Sequence, residues 1–166
     1  MLNVASMLVR ITQRRCSFTT VSRMNLALAE ALSNGTLAER RQRGFKPLAI
    51  TVVDAQGQTI VSKREDAVPT AIPKLSEAKA LSCVGLGMSS RALRDKYEAK
   101  STQIACMASI TPLAPFPGGV LLRTADGGVL GAIGVSGAAA DEDEHCAIIS
   151  ARALGVECEP VHSQLE

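Results

Sequence analysis

Hydrophobic positions in the first part of the chain repeat at the spacing of an amphipathic helix. Between Ser22 and Arg43 they fall near one helical face: Leu26, Ala29, Leu32 and Leu37. Ser22 is the predicted N-cap, and Gly44 can close the helix because glycine readily adopts the left-handed conformation. Gly35 weakens this prediction, because an internal glycine costs a helix about 1 kcal/mol relative to alanine.

Two apolar, β-branched runs come next, and four turn residues separate them. The runs are Leu48–Val53 and Gln58–Ser62, and the residues between them read Asp-Ala-Gln-Gly. Aspartate in the first position and glycine in the fourth suit a type I turn followed by a left-handed glycine. This segment therefore predicts a β-hairpin.

The rest of the chain alternates helical and strand-like segments. Helices are predicted at Ile72–Leu86, Ser89–Lys100 and Asp141–Leu154, and strands at Gly119–Arg123 and Val129–Val135. Pro73 suits the first turn of its helix. Ser89 or Ser90 can cap the second helix. Asp141 and Glu144 fit a capping box at the third helix, with aspartate in the role that serine or threonine usually takes.

One further strand is a candidate at residues 104–110, ahead of three prolines. The predicted order is α-β-β-α-α-β-β-(β)-α. Strands that are joined by short turns pair antiparallel. The expected fold class is therefore α/β in the broad sense and α+β in detail, with an antiparallel sheet flanked by helices.

The composition points to one domain with an unusual core. The chain has 166 residues, of which 46% are hydrophobic, yet it contains no Trp, one Tyr and three Phe. Such a core packs through many small aliphatic contacts and tolerates few voids. We therefore expect further apolar burial between subunits, in a homo-oligomer.

The charge balance argues against a nucleic-acid partner. The chain carries 18 basic and 16 acidic residues, whereas nucleic-acid binders show a basic patch and a high pI. Three of the basic residues lie in the first twenty positions, which contain no acid. The remainder is close to neutral, so nothing in it requires a polyanion.

The five cysteines do not form a disulfide or zinc pattern. Their number is odd, and no two are spaced as Cys-x-x-Cys. They are interpreted as free thiols in a reducing compartment. No apolar run approaches the roughly 18 residues that a membrane span requires.

The first residues have the composition of a mitochondrial transit peptide. Residues 1–21 are rich in Arg, Ser and Thr, and their apolar residues follow a helical stripe. We expect a mitochondrial matrix protein with a domain at 22–156 and a C-terminal tail at 157–166. A disordered N-terminus or a misassigned start codon in a cytoplasmic protein is the alternative, and a secretory signal is a weaker one.

Small residues mark two places where another group can approach the backbone. In the strand from Val129, one face carries Ala132, Gly134 and Ser136, and glycine inside a strand indicates such close approach. The approaching group is a helix, a subunit or a ligand. The sequence Phe116-Pro117-Gly118-Gly119 is a special loop that suits either a ligand or a structural corner.

Charged candidates are less specific. The acidic run from Asp141 to Glu144 suits the dipole of a helix N-terminus better than a metal site. Lys79 lies in an apolar helix, where it either extends to the surface or pairs with an acid such as Asp66 or Asp143. Two histidines alone, His145 and His162, make a histidine-based zinc or catalytic site improbable.

Four segments together carry a family resemblance. They are PLAITVVDAQGQTIVSKRED at 47–66, SEAKAL at 76–81, APFPGGVLL at 114–122 and GGVLGAIGVSGAAADEDE at 127–144. In order and spacing the chain resembles the GlcG/HbpS-like family, which includes the C-terminal domain of PduO-type proteins, over about residues 24–154.

The resemblance implies a profilin-like, self-assembling fold that binds haem or degrades it. It also implies a pocket formed by eight residues: Lys79, Phe116, Pro117, Gly118, Gly119, Gly134, Ser136 and Asp143. Haem iron usually takes His, Cys, Met or Tyr as an axial ligand, but the first helix contains no histidine, and its one candidate is Met24.

The leading hypothesis is an oligomeric small-molecule binder for haem or a related tetrapyrrole. The alternatives are an enzyme that acts on a small hydroxy acid or on haem, and a non-catalytic assembly scaffold. An enzyme requires a convergent acid and base with perturbed pKa values. A scaffold requires a large exposed apolar face without a pocket.

Overall fold

The computed structural model describes residues 22–166. Its elements are α1 (Leu26–Arg43), β1 (Ala49–Asp54), β2 (Thr59–Arg64), α2 (Ile72–Leu86), α3 (Ser90–Tyr97), α4 (Ser101–Ala108), β3 (Gly119–Arg123), β4 (Val129–Ser136), α5 (Ala140–Ala153) and β5 (Glu157–Glu159). The predicted import segment 1–21 and Cys16 lie outside the described residues.

The five strands form one antiparallel sheet in the order β2-β1-β4-β3-β5. Helices α1 and α5 cover one face, and α2 covers the other. The core under α1 and α5 is aliphatic, with residues such as Leu28, Ile133 and Ile148 fully buried. The predicted class, an antiparallel sheet flanked by helices, is confirmed.

Two glycines act as the hairpin and helix patterns predict. The β1–β2 turn has Gly57 at φ +80°, and the Asp54 side chain accepts hydrogen bonds from the amides of Gln56 and Gln58. Gly44 ends α1 in the left-handed conformation.

Gly35 is tolerated inside α1 because α5 crosses there. A Cβ atom at this position would collide with the Ser150 hydroxyl, and that hydroxyl donates a hydrogen bond to the Leu32 carbonyl at 2.7 Å. The glycine that weakens the helix prediction is therefore a contact point between two helices.

Four local predictions are wrong. Residues 104–110 are not a strand, because α4 occupies Ser101–Ala108. Helix α1 is capped by Asn25, whose side chain accepts from the Leu28 amide at 2.9 Å, rather than by Ser22. At α5 the Glu142 carboxylate caps the Ala139 amide at 3.0 Å, so the capping box predicted from the neighbouring acids does not form. Residues 157–159 belong to the domain rather than to a separate tail, because β5 pairs with β3.

Side chains of β4 alternate between the two faces of the sheet, and this alternation reverses at a β-bulge. Opposite Leu122 and Arg123 the register skips Leu130, and Gly131 has φ +155°. As a result Leu130 joins Ile133 in the core under α1 and α5, although a regular strand would place it on the opposite face.

The cysteines give a direct test of this packing. Within residues 22–166 all four are free: Cys83, Cys146 and Cys158 are buried, and Cys106 is exposed. Burial raises the pKa of the Cys83 and Cys146 thiols to about 12 and that of Cys158 to about 11. We expect a thiol reagent at neutral pH to modify Cys106 at least about a hundredfold faster than these three, since buried thiols react only after local opening.

Peptide mapping of the native protein over time measures each cysteine separately. In denaturant all thiols should react at similar rates, which serves as the control. Rapid native modification of Cys83 would contradict the packing of α2 against the sheet.

Candidate functional site

A groove of about 340 Å³ lies where the start of α2, residue 116, the end of β4 and the start of α5 meet. We call it the α2–α5 groove. Four of the eight predicted site residues line it: Lys79, Phe116, Ser136 and Asp143. Its other side chains are apolar and were not predicted: Ile72, Leu75, Ala138 and Ala140. They come from element ends, which no residue pattern in the sequence distinguishes from ordinary surface.

The polar floor of the groove is a buried ion pair. Lys79 Nζ lies 3.0 Å from Asp143 Oδ2 and donates a second hydrogen bond to the Val135 carbonyl at 2.8 Å. Both side chains are almost completely buried, at 2% and 3% exposure. Lys79 therefore does not extend to the surface, and of the two acids considered it pairs with Asp143 rather than Asp66.

Burial pushes both members of this pair toward their neutral forms. Desolvation lowers the pKa of Lys79 below its ordinary value, and the attraction of Asp143 only partly offsets this. Desolvation likewise raises the pKa of Asp143. The Ala138 amide donates to the other carboxylate oxygen at 2.9 Å, so the Asp143 side chain has a single fixed orientation.

The loop before β3 is held over this pair by serines. The Ser82 hydroxyl accepts from the Ala114 amide at 2.9 Å, and the Ser90 hydroxyl accepts from the Gly119 amide at 2.8 Å. These anchors leave the Phe116 ring 54% exposed at the groove. The sequence did not predict this role for either serine, although Ser90 was a candidate helix cap, because they lie 32 and 29 residues from their loop partners in the chain.

The predicted loop residues after Phe116 support the groove from below. Pro117 is buried. Gly118 has φ +120°, and a Cβ there would lie 2.6 Å from Lys79 Nζ; at Gly119 it would lie 2.8 Å from the Lys79 carbonyl. Both glycines permit the loop to contact α2 closely, so their role is structural.

Gly134 belongs to helix packing and not to the groove wall. A Cβ atom there would overlap the Ser76 carbonyl oxygen and lie 2.8 Å from the Ala80 amide. Helix α2 thus approaches the sheet most closely at this glycine. Of the approaching groups considered for this strand face, a helix is the one found.

A second polar cluster lies on the same side of α5. Arg91 contacts Asp141 and donates to Glu144 Oε2 at 2.8 Å. Glu144 is fully buried, its Oε1 has no hydrogen-bond partner, and burial raises its pKa. The acidic run therefore caps α5 and pairs with Lys79 and Arg91. In the part of the chain that is described, no group of three or more potential metal ligands is found.

The α2–α5 groove does not fit a haem whose iron is coordinated by this chain. None of its lining residues is a His, Cys, Met or Tyr. His145 is fully buried, and its two ring nitrogens face Ser163 at 2.8 Å and Glu39 at 3.1 Å. Met24 lines a different cavity, of about 480 Å³, together with residues of the β1–β2 turn.

Comparison with known proteins places this geometry in context. Three similar solved structures are PduOC in complex with haem (21% identity, TM-score 0.74, covering 81% of this chain and 97% of the other), HbpS (26%, 0.71, 82% and 94%) and the Klebsiella pneumoniae protein ORFY (21%, 0.71, 82% and 93%). The first and third establish the fold. No curated relative matches the sequence significantly.

Within residues 22–166 no helix is long and apolar enough to cross a bilayer.

The family model described as "Haem degrading protein HbpS-like" matches residues 24–152. This range includes every residue of the groove, and the chain therefore belongs to the HbpS-like family.

Proposed function

We propose that this protein binds a small molecule in the α2–α5 groove, and that the ligand is a flat, largely apolar acid of the tetrapyrrole class, with haem or a haem-derived pigment as the first candidate. The observation that carries the proposal is the convergence of Lys79, Phe116, Ser136 and Asp143 on one groove with apolar walls. Apolar walls with a few fixed polar groups are typical of ligand sites.

Family membership supports the tetrapyrrole class, and the groove supports a particular binding mode. Its volume is near the lower end of the roughly 300–1,000 Å³ of ligand pockets, so it would enclose one edge of a large ring. The Phe116 ring is available to stack on that edge. Since no lining residue is an iron ligand, affinity would come from ring contacts and acidic substituents.

This binding mode makes a specific prediction about the metal. Hemin and metal-free protoporphyrin IX should bind with dissociation constants within about threefold of each other, because 1 kcal/mol of metal coordination would already separate them by about fivefold. Absorbance titration of hemin and fluorescence titration of the porphyrin measure the two constants.

Phe116→Ala should weaken binding of both pigments by about tenfold, the equivalent of about 1.4 kcal/mol. The matched control is Ile110→Ala, which removes a side chain that is 81% exposed and does not line the groove. Equal effects of the two substitutions would place the site elsewhere. A hemin affinity far above that of the porphyrin would indicate an iron ligand.

Self-association and mitochondrial import complete the proposal. Exposed apolar side chains in several parts of the chain, among them Leu26, Ile110 and Val161, support further burial in a homo-oligomer. The acid-free, arginine-containing composition of residues 1–21 supports import into the matrix, with a cytoplasmic location as the alternative.

A further inference from the structure

Lys79 differs from every other lysine in the chain. The sequence has six lysines; Lys79 is buried, and the remaining five are exposed or half-buried. Its ammonium group has three hydrogen-bond donors, of which two are used by Asp143 and Val135. It lines the apolar α2–α5 groove from the floor, where 2% of its side chain is exposed.

A buried amine beside a carboxyl group is a chemical arrangement as well as a structural one. An amine becomes a nucleophile when it loses its proton, and desolvation in an apolar site favours that form. Asp143 Oδ2 is 3.0 Å from Nζ and can receive the proton without any movement of the chain. The directions of both pKa values agree with this transfer.

The packing of α2 does not require a charged side chain at this position. Ser76, Ala80 and Cys83 already contact the sheet and the loop glycines. A buried ion pair is a weak source of stability, because an apolar pair of similar volume often serves as well or better. Stability alone therefore does not explain why a lysine and an aspartate are buried together here, and we consider a chemical role for the pair.

We propose that Lys79 is an imine-forming residue that captures small aldehydes or ketones in the α2–α5 groove, with Asp143 as its proton-transfer group. This inference rests on the groove as the ligand site of the proposed function, and it adds a carbonyl compound to the class of ligands.

The reaction needs no further component. Lys79 Nζ, after its proton has passed to Asp143, attacks the carbonyl carbon, so that a C–N bond forms as the C=O π bond breaks. The resulting oxyanion and nitrogen exchange a proton to give a neutral carbinolamine. Asp143 then protonates the hydroxyl, which leaves as water while the C=N bond forms, and the iminium proton returns to the carboxylate. Amine and carbonyl compound thus give imine and water.

The test is reductive trapping of the full-length protein. The protein is incubated at pH 7 with hexanal and cyanoborohydride, which reduces an imine to a stable amine, and lysines are quantified by peptide mapping. We expect Lys79 to be modified at least tenfold faster than Lys74, an exposed lysine on the same helix. An exposed lysine lacks the apolar surroundings that favour the nucleophilic, neutral amine.

Variants separate chemistry from accessibility. Lys79→Arg should abolish the fast adduct, and the matched variant Lys74→Arg should leave its rate unchanged. Asp143→Asn should slow the adduct at least tenfold. If the lysines of the wild-type protein are modified in the order of their solvent exposure, with Lys79 the slowest, the inference is overturned. This comparison holds even if no variant folds.

The same samples distinguish the two proposals. Porphyrin binding without a fast Lys79 adduct would contradict the proposed imine formation and leave the proposed function intact. A fast Lys79 adduct that hexanal forms in protein unable to bind either pigment would support the imine chemistry and overturn the tetrapyrrole as ligand.

Discussion

Replacing Gly134 with alanine should destabilise the protein by at least about 3 kcal/mol, at the upper end of what overpacking usually costs. The added Cβ atom would occupy the position of the Ser76 carbonyl oxygen. The Ser76 carbonyl and the nearby Ala80 amide are both backbone groups. They cannot turn aside as a side chain could, so α2 must move away from the sheet as a whole. Urea denaturation followed by circular dichroism measures the loss.

The matched control is Gly85→Ala in α2, the helix that Gly134 contacts. Apart from its chain neighbours and the backbone of its own helix, no atom lies within 4 Å of a Cβ at this position. The variant should therefore be unchanged or more stable by up to about 1 kcal/mol through helix propensity. If Gly134→Ala stayed within about 1 kcal/mol of the wild type, the close approach of α2 to β4 would be wrong.

Lys79→Met should cost about 3–5 kcal/mol at pH 7, because it leaves the Asp143 carboxylate buried without its counter-ion. The loss should shrink as the pH falls toward about 4, the ordinary aspartate value. Burial raises the pKa of Asp143 in the folded state, so the folded protein takes up a proton more readily than the unfolded chain. Stability therefore increases on acidification across that window.

Two further variants check this reasoning by urea denaturation. Lys79→Met combined with Asp143→Leu should recover much of the lost stability, since no buried charge remains. Lys63→Met, which breaks the half-buried surface pair between Lys63 and Glu30 at 2.6 Å, should cost less than about 1 kcal/mol. A loss for Lys79→Met that is independent of pH would indicate lost packing rather than an uncompensated charge.

The sequence was sufficient where local chemistry decides the structure. Asp54 and Gly57 specify the hairpin, and Gly44 specifies the end of α1. Ser89 caps α3 through its side chain, which accepts from the Ala92 amide at 3.2 Å. In these places the residues that set the geometry are also neighbours in the chain.

Sequence reasoning failed where distant residues decide. Whether Gly134 faces a ligand or a helix depends on Ser76 and Ala80 of α2, which lie more than fifty residues earlier in the chain. Residues 104–110 were predicted as a strand, whereas α4 occupies most of them. None of the described side chains of α4 is buried, so no buried face of the helix marks its period in the sequence. Strand β5 is only three residues long, and its pairing with β3 defines it.

Only part of the groove could be predicted, because its lining also depends on residues that are distant in the chain. Lys79, Phe116, Ser136 and Asp143 were found through the family resemblance and do converge. Gly118, Gly119 and Gly134 accompany them because they support the groove, and the family pattern does not separate lining residues from supporting ones. The apolar rim, including Ile72 and Leu75, carries no signature at all.

The position of β4 has a consequence for how the chain folds. Its partner β1 precedes it by some eighty residues, as in the pairing of Ala49 with Ser136. Until β4 is synthesised, the β1–β2 hairpin is a two-stranded ribbon, which is marginal in water. Closing so long a loop is entropically slow. We therefore expect the domain to fold late and in a single cooperative step, with no stable N-terminal half.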